Sequence, residues 1–450
     1  MELRYENEHF ERTDRAAIRT YQWDKLKELL PRVSATNAFY AEGWRAAGVD
    51  LARVKSLDDF SRQIPMFEKK DYVDDQNRHP PFGKRLEQSV SSGEQIEIYT
   101  TSGTSGQGVE VHAQTMRELK EMQSMYRYMF RWSGIERGDH IFFTLPVTML
   151  GGGRIEYQGA LGYGLTTYTV GNDSAQRKLD LLKRFRPSAM FGSTSYFGHL
   201  AALATDPDDL SSVDVLLAGL EGTGFSYLEQ LEEMWLAKVH DRFGCTQLKS
   251  DFMFTCEHGI GSAARPGMLH NLDPYIFMEV IDPATGAQVA DGEFGELVFT
   301  SLYHADNPVI RCRVRDGGVY RDGSYCACGR PFGGIEVASV ARTDDVKKVK
   351  GVNIFPQAVD DTMYSLSLVD EYEILLTSNT ELSDVATVRV MTKHAIGGEE
   401  QASFCQAVRE GLRDTTGIQF DCELVDSLER SEYKVRRWKD ERIAREKPQN

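Results

Sequence analysis

The chain has 450 residues, which is too long for one ordinary hydrophobic core and predicts two domains of unequal size. Hydrophobic residues make up 41% and charged residues 27%, and no apolar run is as long as a membrane span, so a membrane protein is not expected. The formal net charge of −16 disfavours a long polyanion such as duplex nucleic acid as the partner.

The start of the chain and its cysteines bear on where the protein works. Residues Met1 to Phe10 are acidic and polar and lack the basic and apolar segments of a secretory signal, so we expect a cytoplasmic location. Seven cysteines, an odd number, are spread along the chain, which favours reduced thiols or a metal site over disulfides.

The predicted elements change character along the chain. The first ninety residues are predicted to be mostly helical, with a helix over Asp14–Leu30 that ends at Pro31. From Ile96 onward, short apolar runs alternate with helices, which indicates an α/β sheet. The predicted elements of this region are strands at His140–Leu145, Ala189–Phe191 and Val213–Ala218, a helix over Phe225–Lys238, and strands of a more β-rich part at Glu279–Asp282 and Glu296–Thr300.

The last hundred residues or so form a separate unit in this prediction. Beyond Arg342-Thr343-Asp344-Asp345, strand-like and helix-like pieces alternate over a length that suits a small α/β lobe. We therefore predict a large N-terminal α/β domain with a β-rich subdomain over residues 1–341 and a C-terminal α/β lobe over residues 342–450.

The most informative stretch is the glycine- and hydroxyl-rich segment Tyr99–Val109. Its glycines let backbone N–H groups approach an anion closely, and its Thr and Ser hydroxyls add further donors. The segment is not a Walker A loop, because no Gly-Lys-Ser/Thr follows. It predicts a phosphate-binding loop, with a flexible Gly/Ser turn as the alternative.

This segment resembles the Ser-Ser-Gly-Thr-Thr-Gly phosphate loop of adenylate-forming enzymes, and of phenylacetate–CoA ligases in particular. Other segments resemble motifs of that family in the same order along the chain, namely Ser56–Asp71, Leu217–Glu221, Phe243–Gln247, Pro308–Asp316, Arg342–Asp345, Lys350–Pro356 and Tyr433–Arg437. The resemblance covers most of the chain, and its specificity lies in the order of the motifs rather than in any one of them.

The resemblance implies an AMP-forming acid–thiol ligase that activates a small carboxylic acid, aromatic or hydroxylated, as an acyl-adenylate and transfers it to coenzyme A. It implies Lys434 and Thr104 as catalytic residues and a hinge at Asp344 and Asp345, about which a mobile C-terminal lobe rotates between the half-reactions. The nucleotide-binding residues that it implies are Thr101, Ser102, Gly103, Thr104, Ser105, Gly106, Glu221, Phe243, Gly244, Thr246, Gln247, Asp316 and Arg342.

Several of these residues also have ordinary structural interpretations. Taken alone, Asp316 suits a turn, Phe243 a core position, Arg342 a surface ion pair and Lys434 a basic helix. The implied partners are the acid, ATP, and CoA or another acceptor, with a homodimer as an open alternative.

Two positions depart from the family pattern. Gln247 stands where the family has a glutamate that contacts Mg²⁺, and Gln107 stands where the phosphate loop has a lysine. A neutral amide cannot supply the missing charge, so the expected Mg²⁺ binding is weaker or rebuilt, with Glu257 as one substitute ligand. Two alternatives therefore stay open: a specialised enzyme that passes the acyl group to an amine or another nucleophile, and a nucleotide- or acyl-binding pseudoenzyme.

A second set of residues suits a structural zinc ion. Cys256 and His258 precede Cys326 and Cys328, and two thiolates one residue apart can bind the same Zn²⁺ from a tight turn. The predicted ligands are these four, with His270 as the reserve fourth ligand and free buried cysteines as the alternative interpretation. The remaining cysteines are predicted to be isolated small core residues, namely Cys245, Cys312, Cys405 and Cys422.

The acyl-binding pocket is the least determined part of the prediction. An apolar stripe on one helical face is more typical of a core than of a pocket, and its members are Met122, Met125, Tyr126, Met129 and Phe130. Leu150–Gly153, Tyr157 and Tyr196 are the candidate lining of the pocket.

Overall fold

The fold consists of a large N-terminal α/β domain with a β-rich part and a smaller C-terminal α/β domain, as predicted. The computed structural model describes residues 3–87, 95–101, 108–343, 347–350, 352–354, 356–378, 383–428 and 437–442. No helix among these residues is both long and apolar enough to cross a lipid bilayer.

The first part of the chain is mostly helical, as predicted. Its helices are α1 (Glu8–Glu11), α2 (Arg15–Thr36), α3 (Ala38–Ala46), α4 (Leu57–Gln63) and α5 (Lys69–Arg78), with a 3₁₀ turn at Leu51–Arg53. The prediction that the first long helix ends at Pro31 was wrong, because α2 continues to Thr36. Val33 is fully buried beyond the proline, so packing of this apolar face outweighs the roughly 3 kcal/mol cost of a proline inside a helix.

The middle of the chain alternates strands and helices. Its strands are β1 (Phe67–Glu68), β2 (Ile96–Thr100), β3 (Val111–Thr115), β4 (His140–Phe143), β5 (Thr166–Thr169), β6 (Ala189–Phe191), β7 (Val215–Ala218), β8 (Lys238–Cys245) and β9 (Ser250–Thr255). Its helices are α6 (Met116–Ser133), α7 (Gly151–Tyr163), α8 (Ala175–Phe185), α9 (Thr194–Leu203) and α10 (Phe225–Trp235), with 3₁₀ turns at Pro207–Asp209 and Thr246–Leu248.

The predicted strands of this region are confirmed as β4, β6 and β7. The helix predicted to reach Lys238 ends earlier, because Leu236 adopts a left-handed backbone with φ of 48°. Lys238 instead begins β8 and pairs with Val215 of β7.

The β-rich part follows, and the two strands predicted there are confirmed as β13 and β14. Its strands are β10 (Gly261–Ser262), β11 (Arg265–Pro266), β12 (Met268–Asn271), β13 (Ile276–Ile281), β14 (Phe294–Ser301), β15 (Cys312–Arg321), β16 (Gly334–Glu336) and β17 (Ala341–Arg342).

One long sheet joins these two parts. Among the described residues it has 13 strands, with the path β13-β14-β15-β16-β12-β9-β8-β7-β6-β4-β5 and with β1 and β17 beside β15. Strands β4 to β8 are parallel, and the pairing becomes antiparallel between β8 and β9. The carboxyl end of β8 therefore lies where the parallel half meets the antiparallel half, a position at which open α/β sheets commonly bind ligands.

Helix α6 supplies much of the apolar packing against this sheet. The five residues of its predicted apolar stripe are between 0% and 2% exposed, which confirms the interpretation as core: Met122, Met125, Tyr126, Met129 and Phe130. The hairpin β2–β3 lies outside the long sheet and forms a two-stranded sheet of its own.

The C-terminal domain has its own four-stranded sheet. Its elements are β18 (Lys347–Val349), β19 (Val352–Ile354), α11 (Pro356–Ser365), β20 (Val369–Ser378), β21 (Asp384–Thr392), α12 (Gly398–Thr416), β22 (Asp421–Leu424) and β23 (Trp438–Asp440). The sheet order is β22-β21-β20-β23. The Ser226 N–H of α10 donates to Asp361 Oδ1 of α11 over 3.3 Å, which connects the two domains.

Two of the remaining cysteines depart from their predicted isolation. Cys405 of α12 and Cys422 of β22 are hydrogen-bonded neighbours, because the helix packs over the strand that follows it. Cys312 is fully buried, as expected of a small core residue.

Candidate active site and cysteine–histidine cluster

Part of the predicted site lies outside the described residues. This holds for the catalytic candidates Thr104 and Lys434, for the loop residues Ser102, Gly103, Ser105, Gly106 and Gln107, and for the hinge candidates Asp344 and Asp345. The other nucleotide candidates are described: Thr101 follows β2, and the rest lie on β8, β15 and β17 and in the turns that follow β7 and β8.

The base of the predicted phosphate loop is a closed hairpin end. Strands β2 and β3 pair as far as Thr100 and Val111, and beyond them the Thr101 N–H donates to the Glu110 carbonyl over 3.2 Å. In return the Glu110 N–H donates to Thr101 Oγ1 over 3.0 Å. The Gln76 side chain on α5 accepts from the Val111 N–H over 3.0 Å, so the helix holds the outer edge of the hairpin.

Gln247, in the 3₁₀ turn after β8, meets the side chain of Glu110. Its Nε2 lies 2.8 Å and 3.0 Å from the two carboxylate oxygens of Glu110. Lys69, at the start of α5, places Nζ 3.5 Å from the same carboxylate. The glutamine predicted to weaken metal binding is therefore joined to a carboxylate that the sequence reasoning did not single out.

The protonation states around Glu110 follow from its neighbours. Burial opposes ionisation of Glu110, but the nearby ring of His112, the charge of Lys69 and the hydrogen bond from Gln247 hold its pKa below the ordinary value. Burial lowers the pKa of His112 to about 4, so this ring is neutral near neutral pH. Arg85 can only donate to His112 Nδ1, 2.8 Å away, so the ring proton sits on Nε2, on the side of Glu110.

Strand β8 carries two further candidates. Phe243 is 9% exposed and packs with Phe252 and Phe299, at 6.0 Å between ring centroids in each case. Gly244 faces the backbone of the antiparallel strand β9 so closely that an added Cβ would lie 2.3 Å from the Ser250 carbonyl oxygen. A side chain at residue 244 would therefore push the two strands apart.

The turn after β7 holds Glu221. Leu220, one residue earlier, has a left-handed backbone with φ of 73°, which turns the chain away from the strand. Glu221 Oε1 accepts from the Ser195 N–H at the start of α9 over 2.6 Å. Its carboxylate thus binds one of the free N–H groups that every helix has at its first turn.

Thr246 connects the nucleotide candidates with the acyl candidates. An added Cβ on Gly151, at the start of α7, would lie 3.0 Å from Thr246 Oγ1, so the two residues are in close contact. Tyr196 was also a candidate for the lining of the acyl pocket. It lines a cavity together with Tyr227 of α10 and Tyr364 of α11.

Asp316 and Arg342 complete the set from the β-rich part. They are direct partners in the antiparallel pairing of β15 with β17, and the Arg342 Nε is 3.7 Å from Asp316 Oδ1. Cys245 indicates how the motifs converge: burial raises the pKa of its thiol, and the charges of Asp316 and Glu110 raise it further. The structure therefore brings the start of β3, the end of β8 and the middle of β15 to one place.

A buried charge cluster near this place was missed by the sequence reasoning. Arg242 on β8 is 2.6 Å from Asp251 and 3.7 Å from Glu156, and all three residues are buried. Burial, and next the charge of Asp251, raises the pKa of Glu156. Nothing in the local sequence predicts this cluster, because its members lie on β8, β9 and α7.

The cysteine–histidine cluster forms in the antiparallel half of the same sheet, where β9 and β12 are neighbours, together with the segment between β15 and β16. The ligand atoms of Cys256, Cys326, Cys328 and His270 all lie within 4.8 Å of one another. Cys256 Sγ is 3.6 Å from Cys326 Sγ, and Cys328 Sγ is 3.6 Å from His270 Nε2. Hydrogen bonds from Cys256 and Cys326 lower the pKa of Cys328, whereas the contacts with Cys326 and Cys328 raise the pKa of Cys256.

The histidine of this cluster corrects the prediction. His258, the predicted ligand, does not belong to the group, and His270, the reserve residue, does. His258 falls in the turn after β9, whereas β12 pairs with β9 so that His270 lies beside Phe254. The strand register therefore selects His270 over the histidine that is closer in sequence to Cys256.

Glu257 is not available as a substitute magnesium ligand. Buried Arg330 holds its carboxylate with two hydrogen bonds of 2.7 Å. The suggested replacement for the missing glutamate at residue 247 is therefore wrong, and Glu110 is the carboxylate that contacts Gln247.

Comparison with protein families gives two matches along the chain. A family model described as AMP-binding enzyme matches residues 30–304, and one described as AMP-binding enzyme C-terminal domain matches residues 351–442. The chain is 24% identical to a phenylacetate–coenzyme A ligase of Pseudomonas putida over 448 residues, or 95% of each chain. It is 26% identical to a phenylacetate–coenzyme A ligase of Thermus thermophilus over 371 residues, or 80% of this chain and 79% of that one.

Solved structures share the fold. A 2-hydroxyisobutyryl-CoA ligase in the postadenylation state, in complex with 2-HIB-AMP, superposes with a TM-score of 0.86 at 23% identity over 95% of this chain and 90% of that one. The same ligase in the thioesterification state, with 2-HIB-AMP and CoA, gives a TM-score of 0.67 at 23% identity over the same shares of the two chains.

Proposed function

The chain belongs to the family of AMP-binding enzymes, and on this premise we propose that it is an AMP-forming acid–thiol ligase. It activates a small carboxylic acid with ATP and transfers the acyl group to coenzyme A. The curated relatives over 80% or more of the chain are phenylacetate–CoA ligases, which supports an acid of similar size.

The observation that carries the proposal is the convergence of separated motifs at the end of β8. Thr101 and Glu110 at the hairpin end, Gln247 after β8, and the Asp316–Arg342 pair come from segments up to 241 residues apart in the chain. Burial raises the pKa of the Cys245 thiol and the charges of Asp316 and Glu110 raise it further, so both carboxylates lie near this residue at the end of β8. This arrangement suits a nucleotide with its phosphates at the hairpin and its ribose at Asp316.

The reaction has two steps. In the first, a carboxylate oxygen of the acid attacks the α-phosphorus of ATP, and the bond to pyrophosphate breaks. In the second, the thiol of coenzyme A attacks the acyl carbon and loses its proton to solvent, and the bond to AMP breaks. Charge accumulates on phosphate and acyl oxygens in both steps, so oriented donors accelerate them.

The residues of the phosphate loop and the C-terminal segment act on this charge. Thr101–Gly106 bind phosphate oxygens, and the hydroxyl of Thr104 donates to the α-phosphate. Lys434 brings a positive charge between the acid and the α-phosphate in the first step. Rotation about Asp344 and Asp345 then removes Lys434 before the thiol arrives.

The remaining nucleotide candidates hold the nucleoside. Asp316 accepts hydrogen bonds from the ribose hydroxyls, and Arg342 contacts the ribose or a phosphate. Phe243, Gly244 and Glu221 form the side of the site nearest to the base. Thr246 joins this side to Gly151, the nearest residue of the acyl pocket.

We also propose Mg²⁺ as the partner of ATP. The amide oxygen of Gln247 is a suitable neutral ligand for this hard cation, which otherwise keeps water and phosphate oxygens around it. A magnesium ion there would neutralise charge on the polyphosphate. The chain's own contribution is to hold Gln247 in one orientation through Glu110.

The cysteine–histidine cluster fits a structural zinc ion. Three sulfurs and one imidazole nitrogen lie within 4.8 Å of one another, a donor set that Zn²⁺ binds in tetrahedral geometry. With four protein ligands the site is closed, so zinc would connect β9 and β12 with the turn at Cys326–Cys328 and would not take part in the chemistry.

The test is pyrophosphate release by the purified protein over a panel of small aromatic and 2-hydroxy acids, with coenzyme A or hydroxylamine as the acceptor. We expect acid-dependent pyrophosphate and AMP, and a thioester when CoA is present. Lys434→Ala should lower the pyrophosphate rate by about a hundredfold or more. The matched control is Lys439→Ala on β23, where Nζ pairs with Glu373, and it should leave the rate within about twofold.

Two outcomes would contradict the proposal. Pyrophosphate release without thioester in the presence of CoA would indicate an acceptor other than CoA, and a hydroxamate would then show that the acyl-adenylate is made. Nucleotide binding without any acid-dependent pyrophosphate release would indicate a pseudoenzyme, in which Lys434→Ala would change no rate.

A further inference from the structure

Gln247 is an amide with two chemically different ends, and the structure fixes which end faces where. Its Nε2 lies 2.8 Å and 3.0 Å from the two oxygens of Glu110, so the amide nitrogen faces the carboxylate. An ionised carboxylate only accepts hydrogen bonds, so the reverse orientation would place oxygen against oxygen. The amide oxygen of Gln247 therefore faces away from Glu110.

Glu110 is too deeply buried to contact a ligand directly, but it contacts Gln247, which can. Its side chain is fully buried, whereas Gln247 is partly exposed. Lys69 balances its charge from 3.5 Å, and the neutral ring of His112 presents its Nε2 proton from 3.8 Å. A buried carboxylate with these partners has a fixed position, which makes it a firm support for the amide.

The backbone of Glu110 ties this support to the predicted phosphate loop. The residue exchanges two hydrogen bonds with Thr101 across the end of the hairpin. The same residue thus closes the base of the loop with its main chain and orients Gln247 with its side chain.

We propose that Glu110 is the positioning residue of the magnesium–nucleotide site, and that the pair Glu110–Gln247 does the work of a single metal-binding carboxylate. Gln247 offers its amide oxygen to Mg²⁺, and Glu110 orients that oxygen because both of its carboxylate oxygens accept from the amide nitrogen. This inference rests on the proposed function, because it takes Mg²⁺–ATP as the ligand. Carboxylates that orient metal ligands in this way typically contribute 10- to 100-fold to metal affinity.

The test measures how much Mg²⁺ improves nucleotide binding, without turnover. The affinity for α,β-methylene-ATP is determined by calorimetry once in saturating Mg²⁺ and once in EDTA, and the ratio is the metal-dependent gain. Glu110→Gln should reduce this gain at least tenfold. The exchanged variant Glu110→Gln/Gln247→Glu keeps one carboxylate and one amide in contact and should restore the gain to within about threefold of the wild type.

A third variant keeps the test informative if Glu110→Gln does not fold. Gln247→Ala removes only a partly exposed amide and leaves Glu110 paired with Lys69, so it should fold and should also lose the gain about tenfold. Thermal unfolding of each variant shows whether it is folded under the conditions of the binding measurement.

The outcomes separate the inference from the function on which it rests. A gain that survives in Gln247→Ala or in folded Glu110→Gln would overturn the inference alone, as would an exchanged variant that folds but does not recover the gain. A wild-type protein that binds no nucleotide in either buffer would overturn the proposed function, and the inference with it.

Discussion

Asp316 and Arg342 face each other across the pairing of β15 with β17, with the guanidinium Nε 3.7 Å from the carboxylate. If this carboxylate binds the ribose, Asp316→Asn keeps the shape but loses a charged hydrogen bond, and the KM for ATP should rise about tenfold or more. Asp291→Asn, which loses a carboxylate paired with Arg321 at 3.2 Å, is the matched control and should leave the KM unchanged. An equal KM for Asp316→Asn and the wild type would exclude the ribose role.

The zinc site makes a prediction that separates two histidines. His270→Ala removes a member of the ligand group and should lower zinc to less than ~0.5 ion per chain, together with a lower melting temperature. His258→Ala alters a histidine outside that group and should keep the zinc of the wild type. Elemental analysis after metal-replete purification gives the answer, and equal zinc in both variants would rule out His270 as a ligand.

Loss of the zinc ion should lower the stability of the protein and leave the rate of the reaction unchanged. Cys326→Ser should lose zinc and stability together, because it removes one of the four ligands that a closed tetrahedral site requires. The expected pattern is a reduced melting temperature with pyrophosphate release per folded molecule close to that of the wild type. A loss of activity in protein that is still folded would contradict a purely structural role.

The buried cluster around Arg242 predicts a large stability effect. Arg242→Leu leaves Glu156 and Asp251 buried without their cation, which should lower the free energy of unfolding by about 3–5 kcal/mol. The exposed pair Arg62–Asp59, at 2.9 Å, is the control, and Arg62→Leu should cost only about 0–1 kcal/mol. Urea unfolding measures the free energy of unfolding of both variants. Similar decreases in Arg242→Leu and Arg62→Leu would mean that the buried carboxylates are neutralised in another way.

Stability should also depend on pH through His240. Burial, together with the charges of Lys238 and Arg4, lowers the pKa of this ring on β8 to about 3, although a hydrogen bond with Thr255 acts to raise it. The unfolded chain binds the proton at the ordinary pKa of 6.5, so the contribution of the neutral ring is complete above that value and is lost as the pH falls towards 3.

This pH effect can be isolated with one variant. Between pH 7.5 and 5, the wild type should lose about 2 kcal/mol more unfolding free energy than His240→Gln, which has no proton to bind. Urea unfolding at both pH values measures the difference. Equal losses in the two proteins would show that the ring is protonated in the folded state.

Secondary structure was predictable where burial alone decides it. The short apolar runs of β4, β6 and β7 are buried on both faces of a parallel sheet, so their composition is sufficient. The end of α2 was not predictable in the same way. Proline at residue 31 disfavours a helix locally, but the burial of Val33 is a tertiary effect that no window around the proline contains.

The candidate site was likewise predictable only where its chemistry lies in a short stretch of the chain. Glycines and hydroxyls in Tyr99–Val109 carry their chemistry in a short stretch, so their meaning for an anion is readable from the sequence and from its resemblance to a family. The Glu110–Gln247 contact and the Arg242 cluster join residues from different strands, and no spacing along the chain predicts them.

By itself, the sequence determined the class of fold, the family and the residue types available for binding a nucleotide and a metal, because each of these depends on local composition and on the order of motifs. Only the tertiary structure decided that His270 and not His258 joins the cysteines, and that a neutral glutamine at residue 247 is held by a carboxylate 137 residues away. The reason is physical: strand register and packing set which side chains meet, and these depend on the whole chain.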